Sequence, residues 1–157
     1  MLKRIISRDN QGVLPADEQW LEVEHLARVE LTSEDPEHPF EWALRPDNST
    51  VWKASSPGKQ VIRLLFFEPL RISHIRLEFH EERQPRTQEF VLRWLEDEGR
   101  PYQEIVRQQY NFSPPDTTRE VEDYAVHLDR VKVLELSIEP DINGSEVRAS
   151  LAGLLLA

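Results

Sequence analysis

Two runs of alternating apolar and polar residues, separated by an acidic turn, restrict this chain to antiparallel β structure. The first run sets Phe90, Leu92 and Trp94 against Val91, Arg93 and Leu95. The second starts at Tyr102 and passes through Ile105, Val106, Arg107, Gln108, Gln109, Tyr110 and Phe112. Glu96, Asp97, Glu98 and Gly99 lie between them. A repeat of two is that of a strand with one buried face, and a polar break bearing glycine is where such a strand reverses. The stretch from Arg86 to Phe112 is therefore expected to be a β-hairpin, with Phe90, Leu92 and Trp94 turned to the core.

The rest of the chain is punctuated in the same way. Leu2 to Ser7 and Ala27 to Thr32 read as short strands, and Asp17 to Trp20 and Glu41 to Leu44 as helical turns. Thr32 to Phe40 is a loop, because Pro36 and Pro39 exclude a regular helix. Arg45 to Thr50 and Ser55 to Gly58 read as further loops. Val61 to Phe67 is nearly all apolar, as expected of a strand covered on both faces. Pro69 interrupts it, and Leu70 to His80 then alternates Ile75, Leu77 and Phe79 with His74, Arg76, Glu78 and His80, which suggests a solvated outer face. Val121 to Leu128, Val131 to Ile138 and Val147 to Leu156 complete the strands, with Asp129–Arg130 and Pro140 to Ser145 as separators. About eight short strands with proline and glycine turns argue for an all-β sandwich or barrel.

At 157 residues the chain is expected to be a single domain, with residues 1–26 as an N-terminal extension packed on it. Acidic residues outnumber basic ones by 29 to 19, which argues against nucleic acid and anionic membrane surfaces as partners. There is no cysteine, so packing alone must hold the fold, and thiolate chemistry is excluded. No apolar run approaches the roughly 20 residues of a membrane span. The N-terminus lacks the apolar core of a signal peptide, and a cytoplasmic location is expected.

Trp52, Ala54, Pro57, Gly58 and Gln60, then an apolar strand ending near Pro69, then Ile72, Ile75 and Leu77, form a pattern similar to discoidin domains. These are also called coagulation factor V/VIII type C domains. The similarity continues through Arg86, Phe90 and Leu92 and closes at Leu136, Ile138, Pro140, Asp141, Gly144, Ala149, Ser150 and Leu151. It spans roughly Ala27 to Ala157. The resemblance implies a galactose-binding-like jelly-roll β-sandwich of about eight strands, related to family 32 carbohydrate-binding modules, with ligands bound by loops at one end and a bacterial source.

Many carbohydrate-binding relatives hold a structural calcium ion before the tryptophan that corresponds to Trp52. Asp47 and Thr50 are the matching metal candidates. Ala152, Gly153 and Leu154 stand where the family's last-strand glutamate is expected, so no cofactor is expected, and Asp47 with Asn48 reads as a plain turn. A saccharide site needs an aromatic face and planar polar groups. The loop candidates are Glu34, Asp35, His38, Arg83, Arg86, Tyr110 and Asn111, each with a plain structural reading beside it. Trp52 and Trp94 are expected in the core, and Trp42 is the tryptophan with the best claim to exposure. Arg107, Gln108 and Gln109 suggest a solvated sheet face, with a polar ligand patch as the sharper reading.

The five histidines show no metal-binding spacing, and no nucleophile elbow or phosphate loop is present. Catalysis is not expected. The resemblance points to a non-catalytic ligand-binding module with a carbohydrate ligand. The rival is an intracellular protein–protein interaction module on the same fold.

Overall fold

The computed structural model describes residues 20–46 and 50–157. The strand expected over Leu2–Ser7, the start of the helical turn at Asp17, and Asp47 lie outside the described residues. One helical turn, α1 (Val23–Leu26), precedes strands β1 (Ala27–Leu31), β2 (Trp52–Pro57), β3 (Gln60–His80), β4 (Arg86–Leu95), β5 (Gln103–Phe112), β6 (Arg119–Glu139), β7 (Arg148–Leu151) and β8 (Gly153–Leu156). A 3₁₀ turn covers Phe40–Leu44, the segment expected to be a short helical turn. All strand pairs are antiparallel.

The architecture rests on β3 and β6, each 21 residues long and paired with one another along their length. The register shifts between Leu65 and His74, and there the ribbon folds over. Its two halves then face each other. The half holding Gln60–Phe66 and Val133–Glu139 forms a five-stranded sheet with β1, β4 and β5, in the order β1-β3-β6-β4-β5. The other half adds β8, which pairs with β3 from Ile75 to Glu78. Phe79 of this second half stacks on Phe90 of β4, with ring centroids 5.3 Å apart, so the halves pack face to face. β2 and β7 form a separate two-stranded sheet.

The hairpin forms as its period requires. Phe90 and Leu92 are buried, Trp94 is half-buried against the same core, and Gly99 takes φ +89° in the turn. A residue with a Cβ is strained in that conformation.

Five expectations are corrected. Val61–Phe67 is not covered on both faces: Ile62, Leu64 and Phe66 are buried, whereas Arg63 is exposed and Phe67 is 61% exposed. Asp129 and Arg130 do not separate two strands. They are exposed residues within β6, near the fold in the ribbon. Pro69 likewise bends β3 without ending it, and Ser55–Pro57 is extended and belongs to β2. The outer face of Leu70–His80 is only partly solvated. His74 is buried beneath Trp20, with ring centroids 4.8 Å apart, and Glu78 is buried and ion-paired with Arg119 at 2.6 Å.

Candidate functional site

The folded ribbon brings four connections to one end of the sandwich. Register places Leu31 opposite Ile62, Gln60 opposite Ile138, Glu89 opposite Glu139 and Arg86 opposite Phe112. His80 and Arg119, at the far end of the ribbon, return to the same level through the contact of Phe79 with Phe90. The loops after β1, β3, β5 and β6 therefore share this end, and every described ligand candidate lies on it or at its rim.

The loop after β1 is fixed from both sides. Thr32 and Ser33 donate their hydroxyls to Gln60 Oε1 at 2.6 and 2.7 Å, and Ser55 N donates to Ser33 Oγ at 3.1 Å. Asp35 N donates to the Lys53 carbonyl at 2.9 Å. The Glu34 carboxylate accepts from Phe40 N at 2.6 Å, holding the start of the 3₁₀ turn. Asp35 Oδ1 accepts from Glu37 N at 3.0 Å, and Oδ2 lies 3.3 Å from His38 Nδ1. The backbone hydrogen bond from Glu37, with help from His38, holds the Asp35 carboxyl below its ordinary range. The His38 ring meets Trp42 edge-on at 6.0 Å, and Trp42 is half-buried. Carboxylate, imidazole and indole thus stand together on one braced loop.

The other candidates divide. Asn111 is exposed and accepts the Thr87 hydroxyl at 2.7 Å. Arg83 is exposed in the loop after β3, and its backbone N donates to Glu81. Tyr110 is a half-buried strand residue whose hydroxyl donates to the Arg119 carbonyl at 3.1 Å and whose ring packs on Phe112. Arg86 belongs to the interior: its side chain is 1% exposed. It donates to Glu81, Gln88 and the Pro140 carbonyl at 2.6, 3.0 and 2.8 Å, and lies over the Phe112 ring. A guanidinium so occupied braces the loops and faces no solvent. No hydrogen bond among the described residues joins the Asp35–His38–Trp42 group to Asn111. Thr50 is half-buried, and no cluster of metal-ligating acids or histidines occurs among the described residues.

Two hollows lie on the outer faces of the sheets, beside this end. One, of about 370 Å³, sits on the outer face of the β8–β3–β6 half and is lined by Trp20, Arg76, Glu78, Arg119 and Gly153. The other, of about 300 Å³, lies on the outer face of the five-stranded sheet. Arg63, Arg93, Glu135 and Ser137 line it, and sequence reasoning singled out only its rim residue Arg107. Their signal was charge on the non-core face of three strands, but register across strands is not readable from local pattern.

No protein-family model matches the sequence, and no curated protein matches it. Solved structures do match. The family 32 carbohydrate-binding module of AlyQ, in complex with 4,5-unsaturated mannuronic acid, aligns over 89% of this chain and 98% of its own, with TM-score 0.63 and 14% identity. The chain has the galactose-binding-like jelly-roll fold. The family 32 module of Clostridium perfringens NanJ, in complex with galactose, shares this jelly roll with TM-score 0.62 over 87% of this chain and 96% of its own, at 11% identity. The fifth family 32 module of the C. perfringens family 89 enzyme, in complex with GalNAc-β-1,3-galactose, does so with TM-score 0.61, 16% identity, and coverage of 88% and 99%. The jelly roll is thus shared at identities where fold alone is comparable.

Proposed function

We propose that this protein is a non-catalytic carbohydrate-binding module whose site is centred on Trp42, His38 and Asp35. The observation that carries the reading is the grouping of an indole, an imidazole and an ionised carboxylate on one braced loop. An indole offers the apolar face on which a sugar's C–H surface packs, while a carboxylate accepts from paired hydroxyls. Bracing of the loop by Gln60 and Lys53 lowers the ordering cost of binding. Asn111 and Arg83, exposed at the same end, would extend the contact to a second sugar unit. Solved relatives of this fold carry saccharides, galactose and GalNAc-β-1,3-galactose among them, which supports the ligand class. Such binding needs no reacting group.

The test is a glycan array followed by calorimetry with Trp42→Ala and Asp35→Asn. Both variants are expected to stay folded by circular dichroism and to weaken binding by about tenfold or more, as expected on losing a stacking face or a charge-assisted hydrogen bond. Absence of saccharide binding by the unmodified protein would overturn the reading. A protein ligand captured at this end in its place would favour the rival.

A further inference from the structure

β1 is an edge strand of the five-stranded sheet and pairs only with β3. Thr32 N donates to the Val61 carbonyl at 3.1 Å, continuing the register of that pair. In an antiparallel ladder, residues that exchange hydrogen bonds alternate with residues that do not. Arg28 and Glu30 therefore turn their backbone groups toward β3, and Ala27, Val29 and Leu31 turn theirs away. The Val23 carbonyl of α1 accepts from Ala27 N. No further backbone hydrogen bond among the described residues reaches Val29 or Leu31. A hollow of about 640 Å³ runs along this edge, lined by Val29, Glu30, Leu31, Thr32, Val61 and Arg63.

An open edge invites strand pairing, and folded proteins guard such edges with bulges, prolines or inward charges. β5, at the other side of the sheet, has a break in register at Leu92 and Arg93 of its partner. The unpaired side of β6 at residues 119–128 belongs to a stretch that turns Glu120 and Glu122 inward. β1 has no proline, no bulge and no inward charge. Its outward charges fit a second β1 instead. Across the sheet a row of alternating sign runs through Glu104, Arg93, Glu135, Arg63 and Glu30, and it ends at the edge on an acid. Glu135 engages both arginines, and Glu30 makes no salt bridge among the described residues. Arg28 stands in the next row with Leu65, Val133 and Leu95, which hold no acid. Arg28 and Glu30 are both exposed.

We propose that β1 is a dimerisation edge, pairing antiparallel with β1 of a second copy of this chain about a twofold axis at Val29. That axis sets Arg28 opposite the partner's Glu30, and Glu30 opposite the partner's Arg28. Val29 meets the partner's Val29, and Ala27 meets the partner's Leu31, so the apolar face continues across the contact. Each Val29 N donates to the other copy's Val29 carbonyl, and each Leu31 N to the partner's Ala27 carbonyl. These are groups that the ladder with β3 leaves free. The charged row gains a base where it ended on an acid. An axis at Arg28 or at Glu30 sets like charges together and meets backbone groups already bonded to β3. A twofold contact requires this kind of self-complementarity. The contact is five residues long, about 17 Å, and is independent of what the loop end binds.

The test is sedimentation of the full chain over a wide range of concentration, with Arg28→Glu and Glu30→Arg beside the parent. The parent is expected to show a monomer–dimer equilibrium. Each variant alone sets like charges opposite each other twice and is expected to weaken dimerisation by about tenfold or more. Mixing the two variants pairs opposite charges at both positions and is expected to restore the dimer. Val29→Pro removes the donor at the axis and leaves the ladder with β3 intact, because that N–H faces away from it. It is expected to abolish the dimer and serves where Glu30→Arg lowers the melting temperature through Arg63. Amide exchange at Val29 and Leu31 is expected to slow as concentration rises. A parent that stays monomeric, a dimer that the variants leave unchanged, or a mixture that restores nothing would overturn the proposal. Slow exchange at Val29 and Leu31 at every concentration would also overturn it, and would assign the edge to another segment of the same chain.

Discussion

Glu120 shows how far a single side chain departs from what its type suggests. It reads as one of many acids in a charged strand, yet it is 1% exposed, its Oε1 meets Gln88 at 3.5 Å, and its Oε2 has no partner among the described residues. Burial, and then the neighbouring Glu122, push its carboxyl up to about 8. The folded protein therefore keeps a proton that the unfolded chain releases near 4.5. Its contribution to stability is complete below about pH 4.5 and is lost as pH rises to about 8. The lowered carboxyls of Asp35, Glu81 and Asp141 act oppositely, contributing above their unfolded values and losing that contribution in acid. Thermal melts between pH 5 and pH 8 are expected to fall with rising pH, and Glu120→Gln is expected to flatten that slope. An unchanged slope would show that Glu120 does not cause it.

Glu135 gives the complementary case. Burial would raise its carboxyl, but hydrogen bonds from Arg63 and Arg93 outweigh this and hold it below its ordinary range. The joint substitution of Arg63 and Arg93 by alanine leaves a buried carboxylate alone and is expected to cost about 3 kcal/mol in urea unfolding. Glu135→Ala leaves half-exposed guanidiniums that water can solvate, so about 1–2 kcal/mol is expected. The reverse order would refute this account of the pair.

Among the elements, the hairpin was the most legible, because its period, its glycine turn and its core face agree. Phe90 joins it to the opposite half through Phe79, so Phe90→Ala is expected to cost about 3–5 kcal/mol by chemical denaturation. A cost near that of a surface residue would show that the halves do not pack there. The long strands were less legible. Asp129–Arg130 and Pro69 look like breaks because polar residues and proline usually end strands. Here they sit where the ribbon bends, and a bend tolerates both. Val61–Phe67 misled for another reason. Its outward positions hold Val61, Leu65 and Phe67, whose apolar character masks the alternation. Arg86 shows that an arginine at a strand start reads the same whether it faces a ligand or braces the interior.

The whole molecule depends on β3 and β6 passing through both halves of the sandwich. Neither half can lose its pairing without disturbing the other. Unfolding is therefore expected as a single transition, with tryptophan fluorescence and far-UV circular dichroism coincident in denaturant. Separate midpoints would show that the halves unfold independently.

The sequence by itself determined the antiparallel β class, the hairpin, the core tryptophan Trp52, the loop holding Asp35 and His38, and the likeness to the jelly-roll fold. Those features are written in local period and in the residues that turns require. Only the tertiary structure decided that Arg86 is buried, that Glu120 is protonated near neutrality, and that Arg63, Glu135 and Arg93 meet in one row. Each depends on which residues face one another across strands tens of positions apart. That register is set by the folding of one long ribbon, and no local pattern records it.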